Sequence, residues 1–245
     1  VFSKIVAFPK PGEAWSQAYN AGKLFATLSL KIDFKGAQEA PDSLSILGKS
    51  VLDKLEEEFF TIETKDLESI KQAVIITLKE IPDEITSSFT AVVFVDNVLY
   101  SFAKGKGSVF IKRGGKFGTI LDATGEDSKP VTSSSGTLED NDLIILATQP
   151  FLDIVDESAL FLSLDNLTPT EIAEALTPKI HEKDDGGAAV FIIKYANEVP
   201  QPLTHQAQAA EKAKEPQFSH SKKKFLTVAI VILIVLVSSI YFAVK

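Results

Sequence analysis

The run Phe225–Val244, FLTVAIVILIVLVSSIYFAV, contains no charge, no proline and no glycine. A helix of about twenty residues, rising about 1.5 Å per residue, spans roughly 30 Å, the thickness of a bilayer's hydrocarbon core. A core helix of a soluble domain shows one apolar stripe, whereas this run is apolar on every face. Thr227, Ser238 and Ser239 are tolerated in such a helix because a hydroxyl can bond back to its own backbone. The run therefore predicts a single transmembrane helix. Lys222, Lys223 and Lys224 precede it and only Lys245 follows. Lysine-rich flanks stay on the cytoplasmic side, so a single-pass topology with the N-terminal domain in the cytoplasm is expected. Before the anchor (222–245), residues 197–221 have no periodicity and are rich in Pro, Gln, Ala, Glu and Lys. They read as a flexible linker that spans roughly 25–30 Å as a coil. Residues 1–196 then form one domain, long enough to bury its own core.

Charge and composition exclude several functions for that domain. The 33 acidic against 25 basic residues give a net charge of −8, which argues against nucleic acid as a partner. With no cysteine, disulfides, zinc–thiolate sites and thiol chemistry are ruled out. His181, His205 and His220 lack metal-ligand spacing. Arg113 is the only arginine, so the usual bidentate clamp for phosphate is scarce.

Hydrophobic periodicity places the elements. Strands are predicted at Phe2–Phe8 and Leu24–Ile32, the latter with Leu24, Ala26, Leu28 and Leu30 on one side. A helix follows Pro41, with Leu44, Leu47, Val51, Leu52, Leu55 and Phe59 at helical spacing. A second helix runs from about Asp66, its N-cap, to Ile81, where Pro82 ends it. From Ser88 the period becomes strand-like: Phe89–Val95, Leu99–Ala103, Ser108–Lys112 and Phe117–Leu121, with hairpin turns at Asp96-Asn97 and Gly114-Gly115. Asp127–Gly136 is polar and reads as a loop. Leu143–Ala147 reads as a strand buried on both faces. Thr168-Pro169-Thr170-Glu171 opens a helix carrying Ile172, Leu176 and Ile180, and Ala188–Tyr195 is the closing strand. This order predicts an α+β sandwich with helices packed on sheet. Gly105-x-Gly107 is read as a hairpin turn and not as a phosphate cradle, since no third glycine and no helix follow.

Four stretches in order, LFATLSL (Leu24–Leu30), VLYSFAKGKGSVFIKRGGK (Val98–Lys116), SGTLEDNDLIILATQPF (Ser135–Phe151) and EKDDGGAAVFIIKY (Glu182–Tyr195), resemble the metal-dependent PP2C-type (PPM) serine/threonine phosphatases. The resemblance spans nearly all of residues 1–196 and implies an α-β-β-α sandwich. It also implies two Mg²⁺ or Mn²⁺ ions on aspartates activating a bridging water. Where active members carry Asp-Gly, Gly-Asp-Ser and Ser-Asp-Gly, this chain has Ser29-Leu30, Gly105-Lys106-Gly107 and Thr148-Gln149-Pro150. The final Asp-Asn is matched by Asp184-Asp185, which leaves Asp184 as the one candidate residual metal ligand. The family's phosphate-clamping arginine near the N-terminus has no counterpart, because Arg113 falls in a predicted hairpin. Asp33, after its strand, is a weaker candidate for a shifted ligand.

A dinuclear site without most of its carboxylates cannot hold its ions against their mutual repulsion. The expected function is a membrane-anchored pseudophosphatase with a binding or regulatory role, without catalytic residues or cofactor and with a protein partner of unknown identity. Two alternatives stay open: a divergent active phosphatase using Mg²⁺ or Mn²⁺, and a structural component of a membrane assembly. If the resemblance holds, Ser29, Lys106, Gln149 and Asp184 should converge on one pocket.

Overall fold

In LFATLSLKI the apolar residues alternate with Phe25, Thr27, Ser29 and Lys31, and the chain answers that pattern with a strand that has a helix layer on one face and a second sheet on the other. The computed structural model describes residues 1–8, 13–32, 41–123, 130–164, 167–183 and 186–196, with the backbone alone at 41–43. The predicted linker, the run Phe225–Val244, Asp33 and the pair Asp184-Asp185 lie outside the described residues. Among the described residues no helix is long and apolar enough to cross a membrane.

The elements run β1 (Phe2–Val6), β2 (Ala14–Ala21), β3 (Leu24–Ile32), α1 (Pro41–Thr61), α2 (Leu67–Leu78), β4 (Ile85–Val95), β5 (Val98–Lys104), β6 (Ser108–Arg113), β7 (Lys116–Asp122), β8 (Thr132–Thr137), β9 (Leu143–Ala147), α3 (Gln149–Ile154), α4 (Glu157–Ser163), α5 (Pro169–Lys183) and β10 (Ala189–Lys194). They form two five-stranded antiparallel sheets, ordered β1-β10-β9-β6-β7 and β2-β3-β4-β5-β8. Three apolar layers hold the sandwich. Leu28, Leu30, Phe89 and Phe102 pack against α1 and α2 through Leu44, Leu55, Ile70 and Leu78. Phe110, Ile145 and Val190 pack against α3–α5 through Phe151, Leu160, Ile172 and Ile180. Phe25, Val92, Phe94, Ile144, Leu146 and Phe191 fill the space between the sheets. An α-β-β-α sandwich results, as the sequence predicts.

The hairpin turns fall where Asp and Gly permit a left-handed backbone, with Asp96 at φ 53° and Gly114 at φ 57°. Three features depart from the sequence reading. Ala14–Ala21 is a full strand, β2, although its small and polar residues give no clear alternation; β3 is therefore the third strand and not the second. The serine-rich segment read as a loop contributes β8, which among the described residues is an edge strand paired with β5. Its serines do little packing; the backbone ladder with β5 fixes it, helped by Thr132 Oγ1 donating to Ala103 O at 3.1 Å and Arg113 Nη2 to Thr137 O at 2.8 Å. Two short helices, α3 and α4, follow β9.

Asp66 caps α2 by accepting a 2.8 Å bond from Ser69 N. That backbone donor, with the Ser69 hydroxyl, holds its carboxyl below the usual carboxylate range. A lowered folded-state pKa means that the unfolded chain binds more protons in the window between the two values, so stability there rises with pH. The contribution is present above the ordinary carboxylate pKa and is lost as pH falls through the lowered value. Asp66→Asn keeps a cap but removes the titration. Urea melts should show the wild-type advantage over this variant at neutral pH shrinking below about pH 4. A pH-independent difference would show that the carboxylate's charge plays no part.

Candidate functional site

The inner faces of β3 and β4 grade from apolar to polar along their length. Cross-strand partners are Phe25 with Val92, Thr27 with Thr90, Ser29 with Ser88, and Lys31 with Thr86. The buried threonine pair is joined hydroxyl to hydroxyl at 2.6 Å, so its polar atoms are satisfied inside the sandwich. Beyond that rung the serines and Lys31 line a cavity of about 460 Å³. Two-residue periodicity thus delivers core at one end of each strand and a polar cavity at the other.

Other walls come from distant parts of the chain. Gln149 and Pro150, at the start of α3, face Ser88, whose Oγ accepts a 2.9 Å bond from Gln149 N. The β5–β6 turn adds Gly105 and Lys106, and the end of α5 adds Lys183. Ser29, Lys106 and Gln149 therefore meet at one cavity as the sequence requires, while Asp184 lies outside the described residues. Of the final stretch, Gly187 makes the close approach: a Cβ there would sit 3.0 Å from Ser29 Oγ and 2.9 Å from Pro150 Cγ. Sequence reasoning did not single out Gly187, although a glycine pair just before a buried strand is a signal of close backbone contact.

Lys106 is held in an uncommon way. It adopts a left-handed backbone at φ 65°, next to Gly105 at φ 65°, a conformation that costs a residue with a Cβ roughly 1–2 kcal/mol. Its N–H donates to Ala123 O at 2.9 Å, and Ala123 N–H donates to Gly107 O at 3.1 Å. Gly107 lies against the backbone of β4, where a Cβ would fall 2.5 Å from Phe89 O. Gly105-Lys106-Gly107 is not the hairpin turn read from the sequence: β5 and β6 lie in different sheets and do not pair, so the segment is a tight turn that carries the chain from one sheet to the other.

The described lining carries three lysines, Lys31, Lys106 and Lys183, against one carboxylate, Asp153. The Asp153 carboxylate accepts from Gln149 Nε2 at 2.7 Å. Among the described residues no group of three or more His, Cys, Asp or Glu could hold a metal ion. A dinuclear Mg²⁺ or Mn²⁺ centre needs several convergent carboxylate oxygens, and three ammonium groups oppose it electrostatically. The described lining does not fit that centre.

Arg113 is not part of this cavity. Its Nε and Nη2 grip both oxygens of the buried Asp142 at 2.9 and 2.7 Å, and Nη1 reaches Glu139 at 2.9 Å. These bonds raise the guanidinium pKa above its ordinary value. Arg113 is therefore a clamp between β6 and the turn before β9. His181 lies at the surface, its ring 4.5 Å from that of Phe8.

No family model and no curated protein sequence matches the chain. Solved structures do. The catalytic domain of the serine/threonine protein phosphatase PstP in complex with two manganese ions superposes with a TM-score of 0.58 at 15% identity, over 78% of this chain and 95% of that one. PppA, a regulatory component of the type VI secretion system in Pseudomonas aeruginosa, gives 0.57 at 12% identity, over 80% and 96%. The phosphatase domain of the cell-fate determinant SpoIIE from Bacillus subtilis gives 0.51 at 16% identity, over 83% and 94%. At such identities the likeness concerns architecture alone. The described residues adopt the fold of the PP2C-type (PPM) serine/threonine phosphatase domains.

Proposed function

We propose that this protein is a membrane-anchored pseudophosphatase: a PP2C-like domain that binds or regulates and does not hydrolyse phosphoesters. The observation that carries this reading is the cavity lining. Ser29, Lys106 and Gln149 converge where the resemblance places metal-binding aspartates, and among the described lining residues three lysines stand against one carboxylate. Water activation by paired metal ions needs oxygen ligands with net negative charge, and the described lining supplies more positive charge than negative. The uncharged run Phe225–Val244 is the anchor, joined to the domain by the linker 197–221.

The purified full chain with Mn²⁺ should release no phosphate from p-nitrophenyl phosphate above the blank containing metal alone. Metal-dependent turnover that disappears in Asp184→Ala would overturn the reading in favour of a divergent active phosphatase. For the anchor, the chain should stay with the membrane pellet after alkaline carbonate extraction, and deletion of 222–245 should release it.

A further inference from the structure

We propose that the open side of the sandwich, where the edge strands β7 and β8 lie together, binds a second copy of this chain by antiparallel β8–β8 pairing about a two-fold axis at Ser134. The interface is separate from the cavity and from any catalysis. Its first support is the state of the edges. An edge strand offers a row of unpaired backbone groups, and proteins guard such edges with charge, proline or a covering element. Among the described residues the sheets end at β1 and β7 and at β2 and β8. β1 and β2 are tied to each other, Lys4 Nζ donating to Ala18 O at 3.1 Å. β7 carries Lys116 and Asp122. β8, TSSSGT, is mostly exposed and has no charge, no proline and no large side chain.

The register fixes which groups of β8 are free. Leu138 N–H donates to Asn97 O at 2.7 Å, in step with the pairing of Thr137 with Val98. Alternate residues of an antiparallel strand bond to the same side. Thr132, Ser134 and Gly136 therefore bond β5, and Ser133 and Ser135 turn their N–H and C=O outward. Thr137 O points the same way and accepts from Arg113 Nη2 at 2.8 Å, which closes that end of the row. With Ser134 facing its own mate across the axis, Ser133 meets Ser135 of the second copy and Ser135 meets its Ser133. Each of these pairs exchanges both backbone bonds. A two-fold interface must be self-complementary, and a neutral strand of small residues meets that condition without setting like charges opposite one another.

The neighbouring strand supplies an independent support. β7 lies beside β8 in the other sheet, and Lys116 and Thr137 line one groove between them. Asp122 lies at the other end of β7, near Thr132: its neighbour Ala123 bonds the turn that follows β5, and Thr132 pairs with Ala103 at the end of β5. A two-fold axis at Ser134 exchanges the two ends. Lys116 of each copy then comes to the end that carries Asp122 of the other, so opposite charges meet. The groove, about 440 Å³, has Leu99, Ile111, Ile120 and Leu138 in its walls, apolar surface that the second copy covers. A foreign strand would gain the backbone bonds but not this reciprocal charge pairing. Because the pairing uses β8 of both copies, association stops at two.

The chain has no cysteine, so a single introduced thiol reports one position. Facing residues of a non-hydrogen-bonded antiparallel pair have Cα atoms about 4.5 Å apart, within reach of a disulfide. Ser134→Cys in the full chain in detergent micelles should form a covalent dimer under mild oxidation. Thr132→Cys, whose mate across the axis is Gly136, should not. Sedimentation of the unmodified full chain should show a concentration-dependent dimer and nothing larger. Ser135→Pro removes an outward N–H that β5 does not use, so the dimer Kd should rise at least about tenfold with the fold retained. Ser135→Lys adds the charge that guards edge strands and should do the same, which gives a second variant free of proline. Lys116→Glu should weaken the dimer by about threefold to tenfold, and adding Asp122→Lys should restore it. A chain that stays monomeric at about 100 μM, even one that recruits a foreign strand, overturns the assignment. Equal cross-linking at the two thiol positions overturns it too. So does a dimer indifferent to both Ser135 variants, which would assign association to the run Phe225–Val244 instead. None of these outcomes bears on phosphate release, so the pseudophosphatase reading is tested separately.

Discussion

Phe191→Ala should destabilise the domain by about 4 kcal/mol, the range for truncating a fully buried aromatic side chain. The melting temperature should fall by roughly 8–16 °C. Phe191 is 0% exposed, on β10 in the middle of the layer between the sheets. Its ring lies edge-on to Phe25 at 5.4 Å and to Phe2 at 5.7 Å, and Phe25 continues to Phe94 at 5.6 Å. This chain of rings crosses from one sheet to the other, so a hole at Phe191 cannot be refilled by one neighbour without opening another. Phe191→Leu keeps most of the volume and should cost under about 1.5 kcal/mol. Urea melts of the full chain check both values. Equal losses for the two variants would mean that the ring's shape, and not the volume it fills, sets the cost.

Phe191 was also among the parts most legible in the sequence. AAVFIIKY and LIILA are continuous apolar runs, and β9 and β10 each have neighbours on both edges and layers on both faces. The helices were legible for a similar reason: one stripe, Leu44 to Phe59 or Ile70 to Leu78, meets one sheet face. β2 and β8 were not, because neither is built by its own pattern. Ala14–Ala21 is aligned by β3 across the turn at Gly22 (φ 59°), and Thr132–Thr137 by the backbone of β5. Their information lies in the partner strand.

The cavity divides in the same way. Ser29, Lys106 and Gln149 were legible because each replaces a residue that the resemblance marks. Lys31 and Ser88 were not, although their placement follows from period-two alternation once the register of Ser29 with Ser88 is known. Lys183 joins them only because α5 ends beside the cavity, which no local pattern reports. Periodicity says which face a residue takes, and packing says which end of that face opens to solvent.

Gly107→Ala tests whether the turn that carries Lys106 depends on this packing, and it should destabilise the domain by about 2–3 kcal/mol. An added Cβ would lie 2.5 Å from Phe89 O and 2.6 Å from Thr90 Cγ2. The first of these is backbone of β4, hydrogen-bonded between β3 and β5, so it cannot yield as a flexible side chain would. The turn itself must move, and with it Lys106, whose N–H is bonded to Ala123 O. Gly115→Ala, in the β6–β7 hairpin, is the control. A Cβ there meets nothing within 4 Å, so the change should stay within about 0.5 kcal/mol. Thermal melts of both variants measure the cost. Equal, small costs for the two variants would show that the turn shifts away from β4 without strain. A cost at Gly107 with none at Gly115 ties the turn, and with it the position of Lys106, to the backbone packing of β4.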